Sequence, residues 1–178
     1  MVNSSQVSYF TLAAYLDSGD VKFLCFVVTA LVYVGIVLVN TSLTVVICMN
    51  RSLHEPMYMF LLSLFVNELY GSTGLFPFLL VQILSDLHTV LAPLCFLQVF
   101  IIYSYGGVEY LTLAVMSYDR YVAICDPLRY KTRMTSKTVA ALVALTWFYP
   151  CFMMVVLLSW ASPLQLCGSF IKSEFGLK

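Results

Sequence analysis

Four long apolar runs separated by short polar stretches organise the chain. The first extends from Val21 to about Cys48, with only Lys22 charged. The second extends from Met57 to about Leu84 and carries Glu68 near its middle. The third, from Ala92 to about Ile124, holds Glu109, and the fourth extends from Val139 to about Trp160. Each is long enough for an α-helix to cross a hydrocarbon core of roughly 30 Å. Gly71, Gly74 and Pro77 interrupt the second run. Membrane helices tolerate such breakers where neighbouring groups re-satisfy the backbone. The pattern predicts an all-α membrane protein with spans at about 21–48, 57–84, 92–124 and 139–160, in a membrane region of 21–161. Residues 1–20 and 162–178 flank that region.

Composition agrees and narrows the alternatives. Hydrophobic residues make up 61% of the 178 and charged residues 10%, against about 25% charged in soluble domains. Too little polar surface remains to cover a core in water. Nine basic and nine acidic residues cancel, so net charge implies no nucleic-acid partner. Where the charges sit is more informative. Arg51, Arg120, Arg129, Lys131, Arg133 and Lys137 fall on one side of the predicted bundle, and Lys22, Lys172 and Lys178 on the other. Six against three orients the first group to the cytoplasm. The N-terminus and the segment after Trp160 then lie outside. Residues 1–20 lack a basic stretch followed by a short apolar core, so no cleaved signal peptide is expected. With that end outside, Asn3-Ser4-Ser5 becomes a usable glycosylation sequon.

Enzymatic chemistry finds little support. None of the six cysteines forms a CxxC pair, and no histidine stands at ligand spacing to them, which argues against zinc. His54 and His88 fall on opposite sides of the membrane, and no nucleophile–base set or phosphate loop occurs. Glu68 and Glu109 are the residues that physics singles out. A carboxylate inside a membrane helix costs about 2.5–3.5 kcal/mol on insertion scales. Spans two and three are joined by a short loop and are expected to pack antiparallel, bringing the two carboxyls to similar depth. Such a pair would share a proton or bind a small cation such as sodium; alternatively, each is protonated and bonded to a neighbouring helix. Asp119 and Arg120 can pair at the cytoplasmic end of span three. Pro127 ends that helix, and Leu128 and Tyr130 would then offer apolar groups on a basic loop, either for a cytoplasmic partner or as interfacial anchors. Gly106-Gly107 allows close helix approach or leaves room for a ligand.

The string MSYDRYVAICDPLRY, from Met116 to Tyr130, resembles the MAYDRYVAICxPLxY signature of the olfactory (odorant) receptors, within the rhodopsin-like G-protein-coupled receptors. LHEPMYMF, from Leu53 to Phe60, is similar to that family's LHxPMYxF motif. Asn40, Trp147, Glu109 and Cys95 also fit family positions, Cys95 standing twenty-five residues before Arg120. The wording NELYGSTGLFPFLL is closer to fish odorant receptors. The resemblance covers nearly the whole chain and implies the first four transmembrane helices of a seven-helix receptor bundle, with 162–178 as a truncated second extracellular loop.

That resemblance implies roles. Asp119 and Arg120 would form an activation latch, and Pro127 and Leu128 would meet a heterotrimeric G protein of the olfactory, stimulatory type. Ile102, Tyr103 and Gly106 would face a small odorant ligand. Glu68 and Glu109 would line a sodium or proton site, although Glu68 stands where the wider family has Asp. Cys95 is the disulfide candidate. Its usual partner position is Gly176 here, leaving Cys167 as the available cysteine. Spans five to seven are missing from the sequence, so signalling by this chain alone is not expected. The expected location is the plasma membrane, or the endoplasmic reticulum for a truncated form. The rival readings are a non-signalling membrane protein that associates with intact receptors, a pseudogene product, and a four-span ion-path protein using Glu68 and Glu109.

Overall fold

The structure is a computed structural model and describes residues 9–11, 19–84 and 89–161. Helix α1 (Gly19–Met49) opens with Asp20 in its first turn, where a negative charge complements the positive helix end. It closes at Asn50, whose backbone N–H and side-chain Nδ2 both donate to the Val46 carbonyl, at 3.2 and 2.9 Å. One 3₁₀ turn, Arg51–Leu53, leads into α2 (Pro56–Leu84). Proline suits that first helical position because the N–H it lacks would have no intrahelical acceptor. Helix α3 (Ala92–Cys125) stops two residues before Pro127. A single turn, α4 (Tyr130–Arg133), precedes α5 (Ser136–Ala161).

The fourth span starts at Ser136, three residues ahead of the Val139 expected from hydropathy. Thr135 explains the difference. Its hydroxyl accepts from the Thr138 N–H at 3.3 Å and its carbonyl from the Val139 N–H at 2.9 Å, so a polar N-cap opens the helix before the apolar run begins. The other boundaries fall within two residues of expectation. One addition lies outside the helices. Strand β1 (Tyr9–Thr11) pairs antiparallel with β2 (Thr89–Leu91), matching Tyr9 to Leu91, Phe10 to Val90 and Thr11 to Thr89. Residues 9–11 thereby lie against residues 89–91, which lead directly into α3.

Helix α2 is central: it packs on α1, α3 and α5, and α3 packs on α5. The bundle buries polar groups beside Phe60, Val108 and Val122 and presents an apolar exterior. Asn67, Ser104, Thr112 and Asp119 are fully buried, whereas Phe23, Leu31 and Phe148 are about 70% exposed (68%, 67% and 71%). So extensive an apolar exterior suits a bilayer and not water. Four helices (Asp20–Met49, Pro56–Leu84, Leu94–Cys125 and Ser136–Trp160) have the length and apolarity to cross a membrane. The chain is a multi-pass membrane protein.

Candidate functional site

Two polar constellations are built into this bundle. The first lies where α3 meets α4. Asp119 is fully buried, and both its oxygens are engaged. Arg120 Nη2 donates to Oδ2 at 2.9 Å, and the Tyr130 hydroxyl donates to Oδ1 at 2.8 Å. A buried carboxylate requires such partners. The expected Asp119–Arg120 pair is therefore present, with half of the Arg120 side chain still exposed. Tyr130 departs from the outward, apolar placement read from the sequence, because α4 turns its hydroxyl back onto Asp119. Burial, the Asp119 hydrogen bond and the charges of Asp119 and Glu55 push the Tyr130 phenol up from 10.0 to about 12, against a smaller opposing effect of Arg120. Leu128 projects away at 95% exposure, and Pro127 is exposed beside it. A weaker ion pair, Arg133 to Asp126 at 3.6 Å, sits at the surface.

The second constellation joins α2 to α3. The Tyr105 hydroxyl donates to Glu68 Oε1 at 2.9 Å. Glu109 lies one turn further along the same face of α3. Glu68 is thus held by a tyrosine that the sequence reading passed over, one helical turn from Glu109. Tyr105 is held from three directions. Asn67 Nδ2 donates to its carbonyl at 3.0 Å. Its ring fills the space left by Gly71, where a Cβ would collide with it. Its i, i+4 relation to Glu109 was the available signal. Between Lys22 and Met49 of α1 there is no charged residue, and none follows Lys137 in α5. The two carboxylates therefore face no cationic side chain from the described helices. Among the described residues no group of three His, Cys, Asp or Glu could hold a metal.

Ile102 and Tyr103, expected at a ligand pocket, are exposed at 42% and 64% on a face of α3 left uncovered by the described helices. Gly106 shares that open face, with nothing within 4 Å of where its Cβ would stand. Gly107 differs: a Cβ there would lie 2.7 Å from Pro150 of α5. The glycine pair thus divides the two roles foreseen for it, close approach at Gly107 and open space at Gly106. Cys95 lies in the first turns of α3. Asn3 and Cys167 lie outside the described residues.

Deep between α2 and α5, Trp147 Nε1 donates to Ser63 Oγ at 2.9 Å. Tyr70 stacks obliquely on Trp147, ring centres 6.0 Å apart, and its hydroxyl bonds Ser104 at 2.9 Å. From Trp147 a groove of about 670 Å³ runs between the two helices to His54 and Ser136.

Comparison with known proteins bears on all of this. Residues 39–173 match the family described as 7 transmembrane receptor (rhodopsin family), a stretch that includes Asp119–Arg120, Glu68 and Glu109. The chain is 35% identical over 175 residues to Olfactory receptor 6E1 of Mus musculus, covering 98% of this chain and 56% of that protein. It is 35% identical over 173 residues to Olfactory receptor 5M5 of Mus musculus (97% and 54%) and 34% over 168 residues to Olfactory receptor 10H2 of Homo sapiens (94% and 53%). The chain spans about half the length of these relatives. With four membrane helices in sequence order, a buried Asp119 holding Arg120, and a family match over most of its length, the chain belongs to the rhodopsin family of seven-transmembrane receptors.

Proposed function

We propose that the protein acts in odorant detection, as the part of a G-protein-coupled receptor that carries the activation latch and one wall of the ligand pocket. The observation that supports this most directly is the buried Asp119, whose two oxygens hold Arg120 and Tyr130 at 2.9 and 2.8 Å. Arg120 stays half exposed at the basic end, where a competing group can take it. Releasing it would free α4 and the exposed Leu128 together, offering a basic loop with an apolar tip to a stimulatory-type G protein. In this reading the basic end faces the cytoplasm, and the N-terminus with its Asn3 sequon faces outward at the plasma membrane.

Ile102, Tyr103 and Gly106 form the pocket wall. A small, largely apolar odorant would be bound there by contact and desolvation, and its preference for one of two states would shift their populations. Glu68, held by Tyr105, and Glu109 would line a sodium or proton site that biases the resting state. The similarity to olfactory receptors along nearly the whole chain supports the odorant assignment.

The test is a cAMP reporter assay in cells expressing this chain completed by the three further spans of a related receptor, with a stimulatory-type G protein, across a panel of small volatile compounds. A ligand-evoked rise that Arg120→Ala abolishes is the expected result. If the protein reaches the membrane, co-purifies with intact receptors and answers no compound, the non-signalling interaction reading replaces this one. Retention in the endoplasmic reticulum together with such receptors would point the same way.

A further inference from the structure

Between α3 and the first turn of α5 stand three aliphatic hydroxyls, on Thr132, Thr135 and Ser136, among Arg129, Lys131, Arg133 and Lys137. None of them takes part in the Asp119 latch or the Glu68 site. Thr132 differs from the other two. Its hydroxyl is exposed and donates to the Arg129 carbonyl at 2.8 Å, within the turn of α4. The Thr135 hydroxyl is committed to opening α5, through the Thr138 hydroxyl and N–H. Ser136 is the first residue of α5. Met134 and Val139, which flank this stretch, are buried, at 6% and 5% exposure. Drawing 133–137 out of the fold would therefore uncover Met134 and break the cap. Residues 129–133 carry no such cost. All are exposed except the half-buried Tyr130, and one turn of helix holds them.

A hydroxyl flanked in this way fits an enzyme that reads cations. Arg129 stands three residues before Thr132, Lys131 one before it and Arg133 one after it. In an extended chain three residues span about 10 Å. Arg129 can then enter a carboxylate pocket while Thr132 sits at the reacting phosphate. Arginine meets a carboxylate with two parallel hydrogen bonds, and charge patterns of this kind set kinase–substrate choice. Asp126, the acid of residues 126–137, lies six residues upstream of Thr132, clear of that pocket.

We propose that Thr132 is a phosphorylation site for an arginine-directed serine/threonine protein kinase. Thr132 Oγ1 attacks the γ-phosphorus of ATP held by the kinase. An oxygen–phosphorus bond forms as the bond to the β–γ bridging oxygen breaks, the hydroxyl proton passes to the kinase's catalytic aspartate, and ADP departs. Four cations and one anion give residues 126–137 a net charge of +3. A phosphate adding about −2 leaves roughly +1. The modified oxygen no longer donates to the Arg129 carbonyl. Arg133, 3.6 Å from Asp126, gains a stronger competing partner. The modification thus loosens α4 and removes most of the basic charge from the loop that carries Leu128. Use of the site in cells rests on the proposed cytoplasmic placement of the basic end, but not on ligand-evoked signalling.

The experiment places the 178-residue chain in nanodiscs, where both membrane faces are open to added enzyme. The probe is MgATP with the active catalytic domain of a calcium/calmodulin-dependent protein kinase, an arginine-directed enzyme. Tandem mass spectrometry locates the phosphate, which is expected on Thr132. Thr132→Ala should abolish labelling and Thr132→Ser should restore it, with helicity by circular dichroism unchanged. Arg129→Gln should lower kcat/KM about ten-fold or more, as expected for one lost charge-assisted pair, while Lys137→Gln should leave it nearly unchanged. Phosphate on Thr135 or Ser136 that survives Thr132→Ala would overturn the proposal. A parent chain that stays unlabelled while a free peptide of residues 126–138 is phosphorylated would overturn it too, since the fold would then shield the turn. An unlabelled peptide would show that the sequence is no substrate. Labelling of Thr132 in nanodiscs but not in cells co-expressing the kinase would place the fault in the orientation, leaving the basic end outside the cytoplasm.

Discussion

Tyr130 reaches back across eleven residues to give its phenolic hydrogen to Asp119 at 2.8 Å. This bond ties the single turn α4 to the end of α3 and shares a fully buried carboxylate with Arg120. Tyr130→Phe should leave Asp119 Oδ1 without its donor, a loss of about 1–3 kcal/mol for a buried acceptor. If the proposed latch operates, this chain completed by the three further spans of a related receptor should then show raised activity without ligand, read as basal cAMP. Unchanged basal signal with unchanged melting would mean that the bond is not part of the latch.

The same bond sets an alkaline limit. The Tyr130 phenol is raised to about 12 from 10.0, so the folded chain holds this proton more tightly than the unfolded one. That contribution is complete below pH 10 and is lost as pH rises from about 10 to about 12. The difference in ultraviolet phenolate titration between the parent chain and Tyr130→Phe isolates this group among the 12 tyrosines. It should show one late-ionising phenol, and a midpoint near 10 would contradict the structure.

The adjacent glycines give a controlled comparison. Gly107→Ala puts a methyl 2.7 Å from Pro150, whereas Gly106→Ala meets nothing within 4 Å. Overpacking of this kind costs about 1–3 kcal/mol, so Gly107→Ala should lower the unfolding midpoint in nanodiscs and Gly106→Ala should leave it nearly unchanged. The reverse order would show that α3 is rotated relative to α5.

Trp147 and Ser63 are 84 residues apart and 2.9 Å in contact. A double-mutant cycle with Trp147→Phe and Ser63→Ala should return a coupling of about 0.6–1.7 kcal/mol, the range measured for hydrogen bonds within membranes. Strict additivity would remove this bond from the account of how α5 is seated.

Tyr105 is the remaining link. Tyr105→Phe deprives Glu68 of its donor in the bundle interior and should destabilise by about 1–3 kcal/mol at neutral pH. Glu68→Gln keeps an oxygen that accepts from Tyr105 and should cost less. Denaturant titration of both variants in the same lipid decides the order, and equal losses would mean that the bond contributes nothing beyond packing.

Much of this protein is written locally. Hydropathy is summed over neighbouring residues, so the four spans follow from the sequence, and only the polar Ser136-Lys137-Thr138 turn concealed a helix start. Asp119–Arg120 is also local, because adjacent residues at a helix end can pair without help from the rest of the chain. What the sequence left open are the partners chosen across the bundle: Tyr105 with Glu68 at a separation of 37 residues, Trp147 with Ser63 at 84, and Tyr130 with Asp119 through the turn of α4. The division of labour between Gly106 and Gly107 and the groove beside Ala140 and Ala144 belong with these. Each depends on how far one helix is rotated and shifted against the next. That is set by the fit of whole faces, including where a missing Cβ admits a ring, and apolar periodicity carries too little contrast in a membrane helix to reveal it.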